Sequence, residues 1–342
     1  MPRLDEIKTT ALEALGRAGV SPVNAEIQLA LLLDAELRGV ASHGLLRLPR
    51  VIERIANGVT DPASAAAFEW RASALLEVDG RQGLGPVVAM HALERICERA
   101  GETGIASAVI RNCDHLGMLA WYAEQVAERG QILIALTVSE ALVHPWGGRQ
   151  AMLGTNPIAI GIPTDSDPFV FDMATSLVSM GKIHDHANRG VPIPEGWALD
   201  AEGNVTTDAT AARAGAIAPF GGAKGYGLGL AFELLVTSLT GAAIGPAVKG
   251  TLDSDVPCNK GDVFIVLEPH HGMAPVISRF MDELRNSPPI DPSTPVRVPG
   301  DRARSTRERR AVEEIPLPAE IWDKIQHYAG SARRSDTKGE QS

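Results

Sequence analysis

At 342 residues with a formal net charge of −10, the chain is long enough for two domains or one large elaborated one, and its 44% hydrophobic and 22% charged content is that of a globular rather than a disordered protein. The acidic balance argues against a nucleic-acid backbone as the main partner, and no apolar run reaches the ~20 residues of a membrane span. The N-terminus has no apolar signal core, and Cys97, Cys113 and Cys258 are odd in number, scattered and without a C-x-x-C pair, which points to the reducing cytoplasm and away from a disulfide frame or structural zinc.

Residues 1–72 read as a helical domain. Leu4, Ile7, Leu12 and Leu15 mark a first helix; Ser21 caps a second, with Pro22 in its first turn, ending near Gly39. Leu45, Leu48, Ile52 and Ile55 predict a third, starting at the Ser42-His43-Gly44 corner, running to Asn57-Gly58 and kinked by Pro49. Residues 73–290 read as a mixed α/β domain. Strands are expected at 75–79, 106–111, 132–138, 158–162, 169–172 and 263–267, and helices at 86–100, 118–128, 176–188, 226–240 and 276–286. The stretch 190–208 is turn-rich and is expected to wrap over the surface. Segment 291–330 is expected to pack back on the helical domain, and the polar tail 331–342 to be disordered.

Ser42, His43 and Arg47 carry the most chemical information. If the chain is already helical at His43, then His43 and Arg47 stand one turn apart, off the leucine and isoleucine stripe. A 2-oxo acid has a carboxylate next to its carbonyl, so a guanidinium could hold the first while an imidazole protonates the second. Ser42 could orient the imidazole or merely cap the helix. The plain alternative is a loop histidine and a surface arginine.

Neither G-x-G-x-x-G nor a P-loop is present, which disfavours a Rossmann fold and a P-loop nucleotidase. Instead Phe220 to Gly229 forms a glycine-rich run into an apolar helix, where Lys224 and open amides would suit a phosphate; glycines that permit tight packing are the equal alternative. His115 follows a predicted strand and opens a helix, as a ligand contact or a capping residue. Gly147 to Pro157 offers Thr155 in another glycine-rich loop, suited to a carboxylate. The arginines from Arg302 to Arg310 read as a solvated mixed-charge segment or a cofactor phosphate contact. His184 with His186, and His270 with His271, lack metal-ligand spacing, so no metal is expected.

Taken in order, Ser42-His43-Gly44 with Arg47, Asp114 to Gly117, Pro145 to Pro157, Asp172 to Ser176 and Lys224 to Gly227 resemble the type 2 malate/L-lactate dehydrogenase family over nearly the whole chain. The resemblance implies an α/β fold that binds NAD or NADP on a non-Rossmann sheet, a homodimer, and a small carboxylate substrate: malate, lactate, sulfolactate, ureidoglycolate, diketogulonate or a cyclic imino acid. It implies His43 as proton donor with Ser42 as relay, and Arg47 and Thr155 as substrate contacts. The cofactor contacts it implies are His115, Leu116, Gly117, Met118 and Leu119; Asp172, Met173 and Ala174; Lys224; and Gly300, Asp301 and Arg302. Some members are assigned His115 as the proton acceptor instead. Cyclic imine reductases of the family tend to carry an acid where this chain has Lys182, so Lys182 leans toward hydroxy acids. A second acidic group on the substrate would want another cation, with Arg38, Arg50 and Arg149 as candidates. A chain with these pockets but no turnover would be a small-acid or nucleotide binder.

Overall fold

A computed structural model describes residues 2–313 and 315–330; the tail expected at 331–342 lies outside the described residues. Helices α1 (Leu4–Arg17) and α2 (Pro22–Leu37) come first, and the Ser21 hydroxyl accepts the Asn24 N–H at the start of α2. Two 3-10 turns follow, Ala41–His43 and Leu45–Arg47, and only then α3 (Leu48–Ala56). The third helix therefore starts six residues later than its leucine spacing suggests. Pro49 occupies its first turn, where a missing N–H costs nothing, so it opens α3 instead of kinking it. Ser42 caps no helix.

Residues 67–72, expected to be helical, form strand β1 (Ala67–Ala72). Phe68 and Trp70 alternate with Glu69 and Arg71, the period of a half-covered edge strand. Then come β2 (Leu75–Gly83), α4 (Gly85–Thr103), β3 (Ile105–Cys113), α5 (Leu119–Glu128), β4 (Ile132–Thr137), β5 (Ile158–Ile162), β6 (Phe169–Met173) and α6 (Met180–Asn188). Helix α6 starts four residues after the expected 176, where the Ser179 hydroxyl accepts the Lys182 N–H. The turn-rich stretch holds two short strands, β7 (Ala198–Leu199) and β8 (Val205–Thr206). A single turn α7 (Ala209–Ala212) and β9 (Ala216–Ile217) follow, and β9 joins β7 and β8 in a small antiparallel sheet. The chain continues through α8 (Ala223–Thr240), β10 (Gly261–Leu267), α9 (Ala274–Arg285), α10 (Asp301–Val312) and α11 (Ala319–Tyr328).

The main sheet has the order β1-β2-β3-β10-β4-β5-β6. Only β2 and β3 run parallel; every other neighbouring pair is antiparallel. This is a mixed sheet, not the parallel doubly wound one that a G-x-G-x-x-G fingerprint serves. Alternation sorts its side chains: Ala108, Ile110, Phe264 and Val266 face the large core beneath α4 and α5, while Val109 and Val263 face α8 through Val236.

The C-terminal helices close over the N-terminal ones, α11 on α1 and α3, and α10 on α2. Ion pairs hold α10 in place. Arg307 binds Glu124 at 2.8 Å and Asp34 at 3.4 Å, and both of those carboxylates also hold the buried Arg38. Arg310 donates to the Glu36 carbonyl. The arginine run is thus a helix clamped to acidic partners of α2 and α5.

Candidate active site

The Ser42-His43-Gly44 corner gets its shape from one buried carboxylate. Glu36, 1% exposed, accepts the Leu45 N–H at 3.1 Å and pins the corner to α2. A Cβ on Gly44 would land on that carboxylate and 3.2 Å from the Glu36 Cα, so glycine is required there for close approach. Arg47 turns back to donate through Nε to the Ser42 carbonyl at 2.9 Å and through Nη1 to the Thr251 carbonyl at 3.3 Å. Among the described residues no carboxylate pairs with it.

His43 and His115 face each other with ring centroids 5.6 Å apart. Their second nitrogens are engaged differently. The His115 Nδ1 accepts the Gly117 N–H at 2.9 Å, so its proton lies on Nε2 and a second proton would break that bond. The His43 Nδ1 meets the Ser42 hydroxyl at 3.0 Å, and a hydroxyl can turn to donate or accept. Only His43 can alternate between neutral and protonated forms without losing its partner. Burial, and then the Arg47 charge, push the His43 pKa down to about 3; burial and the same charge hold His115 well below its ordinary value. Both rings are neutral near pH 7.

His43 lines a cavity of about 470 Å³ with Gly117, Met118, Leu119, Thr155, Asp172, Met173, Ala174, Gly300 and Arg302. It runs along β6. Just past one end of β6 the Thr175 N–H bonds to the Thr155 carbonyl; near its other end Gly300 stands over the Val170 carbonyl. Thr155 is fixed by its N–H on the Ser139 hydroxyl, and its loop by Asn156 and Gly154, both bonded to the fully buried Glu233. Asp172 accepts the Ala120 N–H at 2.8 Å, closing the first turn of α5; enclosure by the cavity wall raises its carboxyl to about 6, against that bond and the Arg38 charge.

Apolar walls at Met118, Leu119 and Met173, a carboxylate midway, and at the start of α10 the Arg302 guanidinium, which no described residue pairs, suit rings, ribose hydroxyls and phosphates respectively. The residues present therefore fit a nicotinamide dinucleotide. Arg47 and His115 line a separate inner recess of about 30 Å³, and Gly117 belongs to both spaces.

Four of the expected residues stand apart. Leu116 is packed in the core. Asp301 is held by Arg285 through paired hydrogen bonds of 3.1 and 2.9 Å. Lys224 is exposed on the first turn of α8, outside the cavity lining, and the glycines around it serve packing: a Cβ on Gly225 would strike the Phe220 carbonyl, and one on Gly229 would come 2.8 Å from the Thr175 hydroxyl. Lys182 is also exposed and outside the lining. Sequence reading missed Gln28, Arg54 and Thr251 in the recess; only Arg54, seven residues after Arg47 on one helical face, left any signal.

The profile of the malate/L-lactate dehydrogenase family matches residues 3–326. A dehydrogenase from Sinorhizobium meliloti, 50% identical, superposes with a TM-score of 0.93 over 96% of this chain and 97% of that one. An L-sulfolactate dehydrogenase from Methanocaldococcus jannaschii is 35% identical over 89% of each chain. A Delta(1)-pyrroline-2-carboxylate reductase from Pseudomonas fluorescens is 32% identical over 94% of this chain and 96% of its own. The chain belongs to the malate/L-lactate dehydrogenase family.

Proposed function

We propose that the protein is an NAD(P)-dependent dehydrogenase that interconverts a small 2-oxo acid and its 2-hydroxy acid, with His43 as the acid and base. The observation that carries this reading is the Ser42 hydroxyl on the His43 Nδ1, 3.0 Å away, beside an arginine with no carboxylate partner. Arg47 and Thr155 hold the substrate carboxylate. His43, neutral at rest, gives its Nε2 proton to the carbonyl oxygen during reduction while the Ser42 hydroxyl passes a solvent proton on to Nδ1, and in oxidation it accepts the hydroxyl proton at Nε2 as Ser42 returns the Nδ1 proton to solvent. His115 donates from Nε2 and orients the oxygen. The bound cofactor supplies the hydride. Met118, Leu119 and Met173 exclude water around the reacting carbon.

Asp172, with the turn between Pro299 and Arg302, holds the cofactor's polar groups. The protein works as a homodimer. Helix α8 is apolar nearly all round, yet Leu228, Leu234 and Leu235 are exposed, a face that a second copy would cover. We place it in the cytoplasm, where its three buried free cysteines stay reduced. No described helix is long and apolar enough to cross a membrane. The test follows NADH and NADPH oxidation with oxaloacetate, pyruvate, sulfopyruvate, diketogulonate and the cyclic imines of proline and lysine metabolism. Turnover of an open-chain 2-oxo acid is expected; turnover of cyclic imines alone would replace this reading with an imine reductase. Cofactor binding without turnover would replace it with a binder.

A further inference from the structure

Of the three arginines that could serve a second acidic group, two are committed elsewhere. Arg38 is buried in its ion pairs with Asp34 and Glu124. Arg149 is exposed and donates to the Glu202 and Gly203 carbonyls. Arg50 lines the inner recess, and no described residue gives it a hydrogen bond or an ion pair.

The recess around it is built for negative charge. Arg47, Arg50 and Arg54 follow one another along one face of the turn and α3, and all three line it. A single carboxylate, Asp114, lines it too, and that group is fully employed: it accepts from Arg54 Nε at 3.0 Å, from the Thr60 hydroxyl at 2.6 Å and from the His115 N–H at 2.7 Å. Three guanidinium groups against one carboxylate leave two positive charges. Among the residues that line the recess no other carboxylate cancels them: Lys260 and Asp262 pair with each other, both histidines are neutral, and Glu140, behind Thr251, is taken up by the N–H groups of Thr251 and Leu252 and the Thr251 hydroxyl. Mutual repulsion adds to burial in drawing the Arg47 pKa down to about 10.

Two buried polar groups wait on the same space. Gln28 is 3% exposed and lines the recess, yet no described residue hydrogen-bonds its side-chain amide. Arg54 is 2% exposed, and its Nη2 has no acceptor among the described residues although Nε and Nη1 are satisfied. A buried donor left without a partner, as the Arg54 Nη2 is, costs stability unless a ligand completes it, and the Gln28 amide is open to the same space.

We propose that this recess is a subsite for a second acidic group, so that the substrate is a short 2-oxo or 2-hydroxy diacid whose far carboxylate or sulfonate is held by Arg50, Gln28 and Arg54. Two negative charges on the substrate match the two uncompensated positive ones. A recess of about 30 Å³ takes one anionic head and no ring, so a cyclic imine with its single carboxylate leaves Arg50 and Gln28 unanswered. The proposal rests on the hydride-transfer reading above, and its test separates the two.

Steady-state rates with oxaloacetate, sulfopyruvate and pyruvate are compared in the wild type, Arg50→Gln and Arg50→Lys, and melting temperatures are recorded with malonate and with acetate. The wild type is expected to prefer at least one diacid over pyruvate in kcat/KM. Arg50→Gln should shrink that preference roughly 10- to 100-fold, as the loss of a charged hydrogen bond implies, and Arg50→Lys should restore part of it. The comparison of oxaloacetate with sulfopyruvate tells a carboxylate from a sulfonate. Malonate should raise the melting temperature of the wild type more than acetate does, and Arg50→Gln should remove the difference. Equal losses on pyruvate and diacids in Arg50→Gln, or a wild type that treats them alike, would overturn the subsite while leaving hydride transfer intact. A malonate effect that Arg50→Gln abolishes, in a protein that turns over no 2-oxo acid, would keep the subsite and sink the hydride reading.

Discussion

Replacing His43 by alanine isolates the proton from everything else the cavity does. The imidazole touches the Ser42 hydroxyl and the His115 ring, while Asp172, Gly300 and Arg302 lie along the cavity toward its far end. Loss of a positioned general acid costs typically 10²- to 10⁴-fold, about 3–5 kcal/mol of transition-state stabilisation, and this should fall on kcat. Cofactor affinity should stay within about twofold, because its polar contacts are untouched. The assay pairs turnover from nicotinamide absorbance with a cofactor titration by fluorescence. His115→Asn is the control: it removes a fixed Nε2 donor, and a single neutral hydrogen bond predicts a loss of about 10-fold. Wild-type turnover in His43→Ala, or a larger loss in His115→Asn, would refute the assignment. The pH profile offers a second check. A substrate carboxylate on Arg47 cancels one of the two causes that depress His43, so its titration should appear at higher pH in kcat, which reports the complex, than in kcat/KM.

Three further outcomes are expected. Gly44→Ala should destabilise the protein by about 2–4 kcal/mol in a denaturant titration, because the new methyl displaces the Glu36 carboxylate from the Leu45 N–H; an unchanged midpoint would mean that the corner is not held there. Stability should fall on acidification. His43 is held near 3 in the native state against about 6.5 unfolded, so between those values the unfolded chain binds the extra proton; the native state is at full advantage above 6.5 and loses up to about 1.4 kcal/mol per pH unit below it, His115 adding in the same direction. A flat melting temperature from pH 7 to 5 would contradict both depressed values. Arg302→Ala should weaken cofactor binding roughly 10-fold in a fluorescence titration with little change in kcat at saturation, and an unaltered titration would remove Arg302 from the cofactor site.

Where short-range physics decides, the sequence was readable. The β-branched runs became β3, β4, β5 and β10 because each has at least one buried face, β10 and the middle of β3 being covered on both and β5 alternating buried with half-buried residues, and Ser21 with Pro22 marked α2 because cap and first turn are adjacent in the chain. The proximity of Ser42, His43 and Arg47 survived even though their helix did not, since two 3-10 turns keep the Arg47 Nε on the Ser42 carbonyl. Helix α10 was not legible. Seven of its twelve residues are charged and it has no apolar stripe, and what fixes it are Asp34, Glu36 and Glu124, which lie far back in the chain.

The same distinction governs the charged candidates. Arg38, Arg50 and Arg149 look alike in sequence, because whether a guanidinium is available depends on which carboxylates reach it. Two helices bring Asp34 and Glu124 to Arg38, and no described residue pairs a carboxylate with Arg50. Lys224 is the converse case: its glycines left a phosphate cradle and tight packing equally open, and in the fold Gly225 and Gly229 lie where α8 approaches Phe220 and Thr175. A glycine-rich run records that backbones come close, and a lone arginine records only that a charge is present. Which of them meets a ligand is decided by the partners that tertiary packing supplies, and no described residue supplies one to Arg50 or to the Gln28 amide, which is why the proposed second-acid subsite is built on these two.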